Sequence, residues 1–334
     1  MMNTQNEVSA DGFVIVGEEI CQKIISRADA FGAVEAVFAA MARGDAYNFP
    51  VVREAIGHAD ALYGFKGGFD RSGLSLGLKA GGYWPGNMDK GLTNHQSTVF
   101  LFDPDTGRLS ALVGGNYLTA IRTAASSSVS IAHLAREDSK VLGMVGAGHQ
   151  STFQLRAAVE QRAFEKVVAW NPHPDMLPRL GAVAEELGLA FEAVTQEELG
   201  AQADVIITIT SAFEPLMMAD WVKPGTHIAC MGTDTKGKQE VDPGLFTRAT
   251  VFADEIAQSI SIGEAQHAVA QGLIAETDIT PIGAVINGTH AGRASETEIT
   301  VFDGTGVGLQ DLAVASVAAK LARDQGLVTP ITLG

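Results

Sequence analysis

Cysteine is nearly absent from these 334 residues. Only Cys21 and Cys230 occur, far apart, which excludes a disulfide framework and a cysteine-based metal site. Basic residues are also few, 23 Lys and Arg against 39 Asp and Glu, and the formal charge of −16 repels phosphate backbones and anionic lipid. Nucleic acid and membrane surfaces are therefore not expected partners. No apolar run approaches the ~18 residues that cross a bilayer. Met1–Asp11 carries no basic residue ahead of an apolar stretch, so no export signal is expected there and a cytoplasmic location is. The chain also lacks repeats and metal-ligand spacings. What remains, 46% apolar and 19% charged, is ordinary globular composition, and at roughly 150 residues per domain the length suggests two domains. Glycine is the abundant exception, with 37 residues. It clusters in 64–91, 143–148 and 304–308, where backbone is expected to turn sharply or approach a ligand.

The first part reads as α+β. Val34, Val37, Phe38 and Met41 have helical spacing within 30–42, and 74–79 is a short apolar stretch. Residues 98–102 and 109–113 flank Asp103-Pro-Asp-Thr-Gly107, the chemistry of a hairpin turn. An Ala- and Ser-rich run, 118–135, predicts a long helix. From Ser139 the pattern alternates: strands are expected at 140–145, 166–170, 190–194, 204–210, 227–231, 250–253 and 298–302, with helices at 150–162 and 176–187. Such alternation predicts a doubly wound parallel sheet. The last helix, 309–323, is too apolar on one face to stand alone and is expected to return to the first domain.

Val141-Leu-Gly-Met-Val145 runs into Gly146-Ala147-Gly148-His149-Gln150-Ser151, a strand, a glycine turn and a helix, which fits the dinucleotide-binding fingerprint with Ser151 as the third small residue. Gly146 allows the tight turn, Gly148 the close approach of a pyrophosphate, and the helix start supplies unpaired N–H donors. Asn171 stands 23 residues past Gly148, where a ribose-reading acid is expected; it either reads the ribose or only shapes a turn with Pro172. With no arginine next to it, NAD is favoured and NADP kept as the alternative. Thr208, Thr210 and Ser211 close one strand, and Met231-Gly232-Thr-Asp234 closes the next. Both fall at the carboxyl edge of such a sheet, although threonine also suits a strand and an acid there also caps helices. In the first part, Lys79 ends an apolar stretch and Arg122 lies in a small-residue helix. Both point inward, which is costly without an anionic partner, and a substrate carboxylate would be one.

Together these pieces resemble the ornithine cyclodeaminase/μ-crystallin family. The resemblance rests on Ile121-Arg-Thr-Ala-Ala125, the Gly146 turn, Pro224-Gly-Thr-His227 with Gly232-Thr-Asp234, and Glu298-Ile-Thr-Val-Phe302 through Thr305-Gly306 to Gln310-Asp311. It implies a Rossmann-type doubly wound parallel sheet, 122–307, plus a discontinuous α+β substrate-binding and dimerisation domain, 1–121 with 308–334. It further implies an NAD(P)-dependent oxidoreductase acting on C=N or CH–NH2 bonds, as a homodimer and without a metal. By resemblance, Arg53, Lys79 and Arg122 hold a substrate carboxylate and Thr98 lies beside the substrate. Asp234 is the catalytic acid, with Lys79 the alternative proton donor. Thr305 and Gly306 close over the substrate. Thr123, the turn 146–150, Asn171, Thr208, Thr210, Ser211, Met231 and Gly232 fall on cofactor positions. Gly64 stands eleven residues past Arg53, where members that cyclise ornithine carry a glutamate. With Lys66 and His95 also nearby, a dicarboxylic imino acid is the expected substrate, and iminosuccinate reduced to aspartate is the smallest fit. Ornithine cyclodeaminase and a non-catalytic NAD(P)-dependent ligand binder are the rival expectations.

Overall fold

The computed structural model describes residues 12–332; the 1–11 segment, where no export signal is expected, lies outside the described residues. The chain divides into two compact units, one made of the chain up to Arg122 together with that from Val307 onward, the other spanning Thr123–Gly306. Against the expected limits the boundary moves by one residue at each crossing. Arg122 falls in the first unit, where its guanidinium is bound by Asp311.

In the first unit, β1 (Gly12–Val16), β2 (Ala46–Asn48), β3 (Val52–Ala55), β4 (Leu62–Asp70), β5 (Ser75–Tyr83), β6 (His95–Phe102), β7 (Leu109–Gly114) and a last strand, Thr329–Thr332, make one eight-stranded sheet. Strands β4 to β7 form an antiparallel meander, and Asp103 Oδ1 closes the β6–β7 turn by accepting the N–H groups of Asp105 and Thr106. The Arg27–Ala42 helix starts at Ser26, whose hydroxyl and the Asp29 carboxylate cap each other's backbone N–H. The Gly308–Asp324 helix lies on one face of the sheet, with Ser316 Oγ 2.8 Å from Ser75 Oγ. Glycines 64, 67, 68, 77, 81 and 82 sit inside β4 and β5 rather than in turns. A Cβ on Gly77 would lie 2.1 Å from the Phe100 carbonyl oxygen and 3.0 Å from Leu312 Cδ2, so the glycines let strand and helix close on one another.

The second unit contains β8 (Val141–Val145), β9 (Lys166–Trp170), β10 (Ala190–Ala193), β11 (Val205–Thr208), β12 (Phe213–Met217), β13 (His227–Cys230), β14 (Gln239–Val241), β15 (Ala249–Ala253), β16 (Ile279–Pro281) and β17 (Ile299–Asp303). Eight of them form a wholly parallel sheet in the order β10-β9-β8-β11-β13-β17-β15-β16, while β12 pairs with β14 apart. The first five positions follow the 3-2-1-4-5 winding of dinucleotide-binding sheets. Strands covered on both faces need continuous apolar runs, and Val205–Thr208 and His227–Cys230 are buried throughout. The expected 150–162 helix stops at Ala158, because Arg162 turns back to cap the carbonyls of Ala132, Ala135 and Arg136 at the end of the Gly115–Leu134 helix. Among the described residues no helix is long and apolar enough to cross a membrane.

Candidate active site

Strand alternation gathers the cations of the first unit. Lys66 pairs with Lys79 across β4 and β5, and Lys79 with Val99 on β6. Arg53 pairs with Gly64, which pairs in turn with Gly81, and His95 lies four residues before Val99 on β6. In an antiparallel sheet these positions share one face. It is the face covered by the Gly308–Asp324 helix, and Lys79 and Arg122 are only 8% and 7% exposed on it. Their partner is Asp311, fully buried on that helix: Lys79 Nζ lies 2.9 Å from Oδ2, and Arg122 Nε 2.9 Å from Oδ1. Arg122 also donates to Gln310 Oε1, and Lys79 to Thr119 Oγ1 at 3.3 Å.

The anionic partner that the two inward cations require is thus first of all a side chain of the protein. Gln310-Asp311 is legible in the sequence as a motif, but its role as counter-ion is not. One carboxylate between two cations leaves a net positive charge, and Arg53 and Lys66 add to it on the same face. Burial lowers the Lys79 ammonium to about 8 against the opposing pull of Asp311, with Arg122 and Lys66 adding repulsion. His95, pushed down to about 3 by burial and then by Lys79 and Arg122, stays neutral at physiological pH. Thr98 is not part of this group. It stands opposite Ala80 and Gly114, one step out of register with Lys79, so its side chain points to the other face, with Phe65 and Phe100.

Any anion bound by Lys79 would be held in a pH-dependent way. Below pH 8 the ammonium is charged and attracts an anionic ligand; above it the charge is lost. For any carboxylate that Lys79 holds, kcat/KM should fall about tenfold per pH unit beyond 8. The saturated kcat should fall only at higher pH, since bound anion restores the ammonium. A kcat/KM profile flat to pH 10 would remove Lys79 from ligand binding.

The second unit presents the glycine turn. Gly146 has φ +112°, and a Cβ there would lie 2.6 Å from the Ile209 carbonyl oxygen, so glycine is required. Around Gly148 a Cβ would meet nothing within 4 Å, which leaves room against the backbone. Gln150 Oε1, at the start of the Ser151–Ala158 helix, is buried and lacks a hydrogen-bond partner. An open turn, a helix start and an unsatisfied acceptor fit a dinucleotide. Asn171 faces inward: its Oδ1 accepts the Ala147 N–H at 2.9 Å and its Nδ2 donates to the His173 carbonyl. It latches the turn, leaving one N–H and one lone pair for a ribose. His149, its pKa lowered by burial and then by Arg179, packs its ring at a tilt against Phe153.

At the carboxyl edge of the sheet, Thr208 and Thr210 donate their hydroxyls to Glu240. Thr305 Oγ1 and the Gly306 N–H are held by Asp254 at 2.7 and 2.8 Å. Met231 is buried and Ser211 exposed. Thr123 is buried in the Gly115–Leu134 helix. Asp234 Oδ1 accepts from Lys238 Nζ at 2.8 Å and from Thr235 Oγ1, with the carboxylate one-third exposed. His227 is a buried strut, its ring nitrogens on Thr300 and Ser130.

The profile of the ornithine cyclodeaminase/mu-crystallin family matches residues 13–325. The chain belongs to that family. Among its family relatives, the iminosuccinate reductase of Paracoccus denitrificans is 63% identical over 320 residues, 96% of this chain and all of that one. The alanine dehydrogenase of Archaeoglobus fulgidus is 34% identical over 95% of this chain and 98% of its own length. The crystal structure of the Paracoccus reductase in complex with NAD+ aligns with a TM-score of 0.93, covering 96% of this chain and 99% of that one. An archaeal alanine dehydrogenase dimer with bound NAD aligns at 0.91 with 32% identity over 97% of this chain and the whole of that one. The family fold is thus the mixed one observed, with parallel sheets.

Proposed function

We propose that this chain is an NADH-dependent reductase of small 2-imino acids, with iminosuccinate reduced to L-aspartate as its preferred reaction. The observation that carries the reading is the buried Lys79–Asp311–Arg122 triad, which shares a sheet face with Lys66 and Arg53. One carboxylate needs one such grip; a second charge pair suits a second carboxylate. The 63% identity to an iminosuccinate reductase supports the same substrate.

Bound in reduced form at the Gly146 turn, the dinucleotide supplies the hydride. Lys79 and Arg122 hold the carboxylate next to the C=N bond through charge-assisted hydrogen bonds, which fixes the face that the imine offers. Lys66 and Arg53 hold the distal carboxylate. Asp234, paired with Lys238, keeps the imine nitrogen protonated, the form that accepts hydride best. Cyclisation of ornithine is disfavoured at Gly64. A glutamate is expected there in a cyclodeaminase, but a Cβ would lie 1.9 Å from the Val52 carbonyl oxygen.

The deciding assay follows NADH and NADPH oxidation with ammonia plus oxaloacetate, pyruvate, glyoxylate or 2-oxoglutarate. Oxaloacetate with NADH should lead, and turnover of ornithine to proline without added reductant would overturn the reading. Lys66→Met should lower kcat/KM for the oxaloacetate-derived imine about tenfold and leave the pyruvate-derived imine within twofold. An equal loss on both would take Lys66 away from the distal carboxylate.

We also read the assembly as a homodimer in a reducing, cytoplasmic setting. On the face opposite the cations, Ile15, Tyr47, Val52, Tyr63 and Phe65 are each 36–50% exposed. A second copy would cover them, and a related alanine dehydrogenase is described as a dimer.

A further inference from the structure

Two buried carboxyls of the second unit take no part in the chemistry above. Glu240 and Glu264 are 0% and 1% exposed. Glu240 receives four donors. Its Oε2 accepts from Thr208 Oγ1 at 2.7 Å and from the Gly232 N–H at 2.9 Å, and its Oε1 accepts from the hydroxyl and the N–H of Thr210. One side chain therefore joins the end of β11 to the turn after β13. Glu264 takes the N–H groups of Glu240 and Val241 on Oε1, both at 2.8 Å, and the Thr233 hydroxyl on Oε2. Between these anchors runs a loop whose other bonds also stay within the unit. Gly237 N–H donates to Gln266 Oε1, His267 Nε2 lies 2.9 Å from the Lys238 carbonyl, and Lys238 Nζ reaches both the Gly232 carbonyl and Asp234 Oδ1.

We propose that Glu240 is a positioning residue, which fixes the Gly232 end of this loop and thereby the direction of the Asp234 carboxylate. The inference rests on the reading of Asp234 as the group that handles the imine proton. A carboxylate is required because each oxygen faces a backbone N–H, and a backbone donor cannot rotate away. A glutamine in either orientation sets its NH2 against the N–H of Thr210 or of Gly232. Glu264 differs in kind. Both of its backbone donors fall on one oxygen, and the other faces a hydroxyl that accepts as readily as it donates. It therefore keeps every bond while protonated or when replaced by glutamine. Burial raises both carboxyls, Glu264 to about 8 with the charge of Glu240 adding to it, while the four donors on Glu240 oppose its rise, so Glu264 is the member of the pair that takes a proton more readily. The Cys230 thiol beside them is raised well above its ordinary value, by burial first, and stays protonated.

The test compares Glu240→Gln, Glu264→Gln and Asp234→Asn in the full chain. It reads kcat and KM for NADH-dependent reduction of the oxaloacetate-derived imine at pH 7, NADH affinity by fluorescence, and the thermal midpoint. Glu240→Gln should lose at least tenfold in kcat with the imino-acid KM within threefold, since the substitution leaves the Lys79–Asp311–Arg122 contacts untouched. Glu264→Gln should stay within twofold. A kcat for Glu240→Gln within twofold of wild type, or an equal loss in Glu264→Gln, overturns the proposal. If Glu240→Gln does not accumulate folded, Thr208→Val, which removes one donor to Glu240 Oε2, asks the same: a threefold or larger fall in kcat at unchanged imino-acid KM and NADH affinity supports the clamp, and an unchanged kcat overturns it. Asp234→Asn separates the two readings. If it retains the wild-type rate, the assignment of Asp234 fails; if it loses the rate while Glu240→Gln does not, only the positioning role fails.

Discussion

Replacing Asp311 with asparagine should cost about 3 kcal/mol of stability at pH 7. Asp311 is fully buried and is the shared counter-ion of Lys79 and Arg122. Removing one partner of a buried ion pair typically costs about 3–5 kcal/mol, because the remaining charge keeps its desolvation penalty and loses its attraction. The lower figure applies because Lys79, already lowered to about 8, can shed its proton, whereas Arg122 cannot. The measurement is urea unfolding of D311N beside the wild type, with and without a non-reacting dicarboxylate such as succinate. The anion supplies the missing charge, so it should raise the midpoint of D311N more than that of the wild type. A loss below about 1 kcal/mol would mean that the triad does not hold the helix to the sheet. Equal stabilisation of both proteins by succinate would mean that the two cations do not face the ligand.

The parts of this molecule legible in its sequence are those whose signal is local. Val141–Val145, Lys166–Trp170 and His227–Cys230 are short apolar runs because strands in a parallel sheet are covered on both faces, and the turn after the first is marked by Gly146, whose backbone no other residue can adopt there. The Asp103–Gly107 turn is legible for the same reason. In β4 and β5 the apolar pattern fails. Glycine replaces side chains where strands and the Gly308–Asp324 helix close in, and the exposed aromatics on the outer face leave no continuous run. The buried cations were legible in composition but not in pairing. Lys79 and Arg122 stand out as inward cations, yet their counter-ion lies 189 residues beyond Arg122, on a helix marked in the sequence mainly by its apolar face. Thr98 misleads by a single register step, which no spacing rule exposes until its partners across the strand are known. Glu240 hides in a three-residue strand, Gln239–Val241, too short to give a period.

The largest catalytic effect is expected from Asp234→Asn, a loss of about 100-fold or more in kcat with NADH affinity within threefold. Asparagine keeps the shape and the bond to Thr235, but not the charge that faces Lys238. Without that charge nothing in the loop favours a protonated imine nitrogen, and a positioned acid or base is worth about 10²–10⁴ in rate. The pH profile distinguishes this from a merely displaced loop. If the wild-type carboxylate keeps the imine nitrogen protonated, as proposed, the rate should change little near neutrality. In D234N only imine protonated in bulk solvent enters, so the rate should rise about tenfold for each unit that pH falls, until that imine is fully protonated. A displaced loop would lower the whole profile without tilting it. A variant within threefold of wild type at every pH would take Asp234 out of the chemistry. Lys79, whose ammonium burial lowers to about 8, would then be the proton donor to test next.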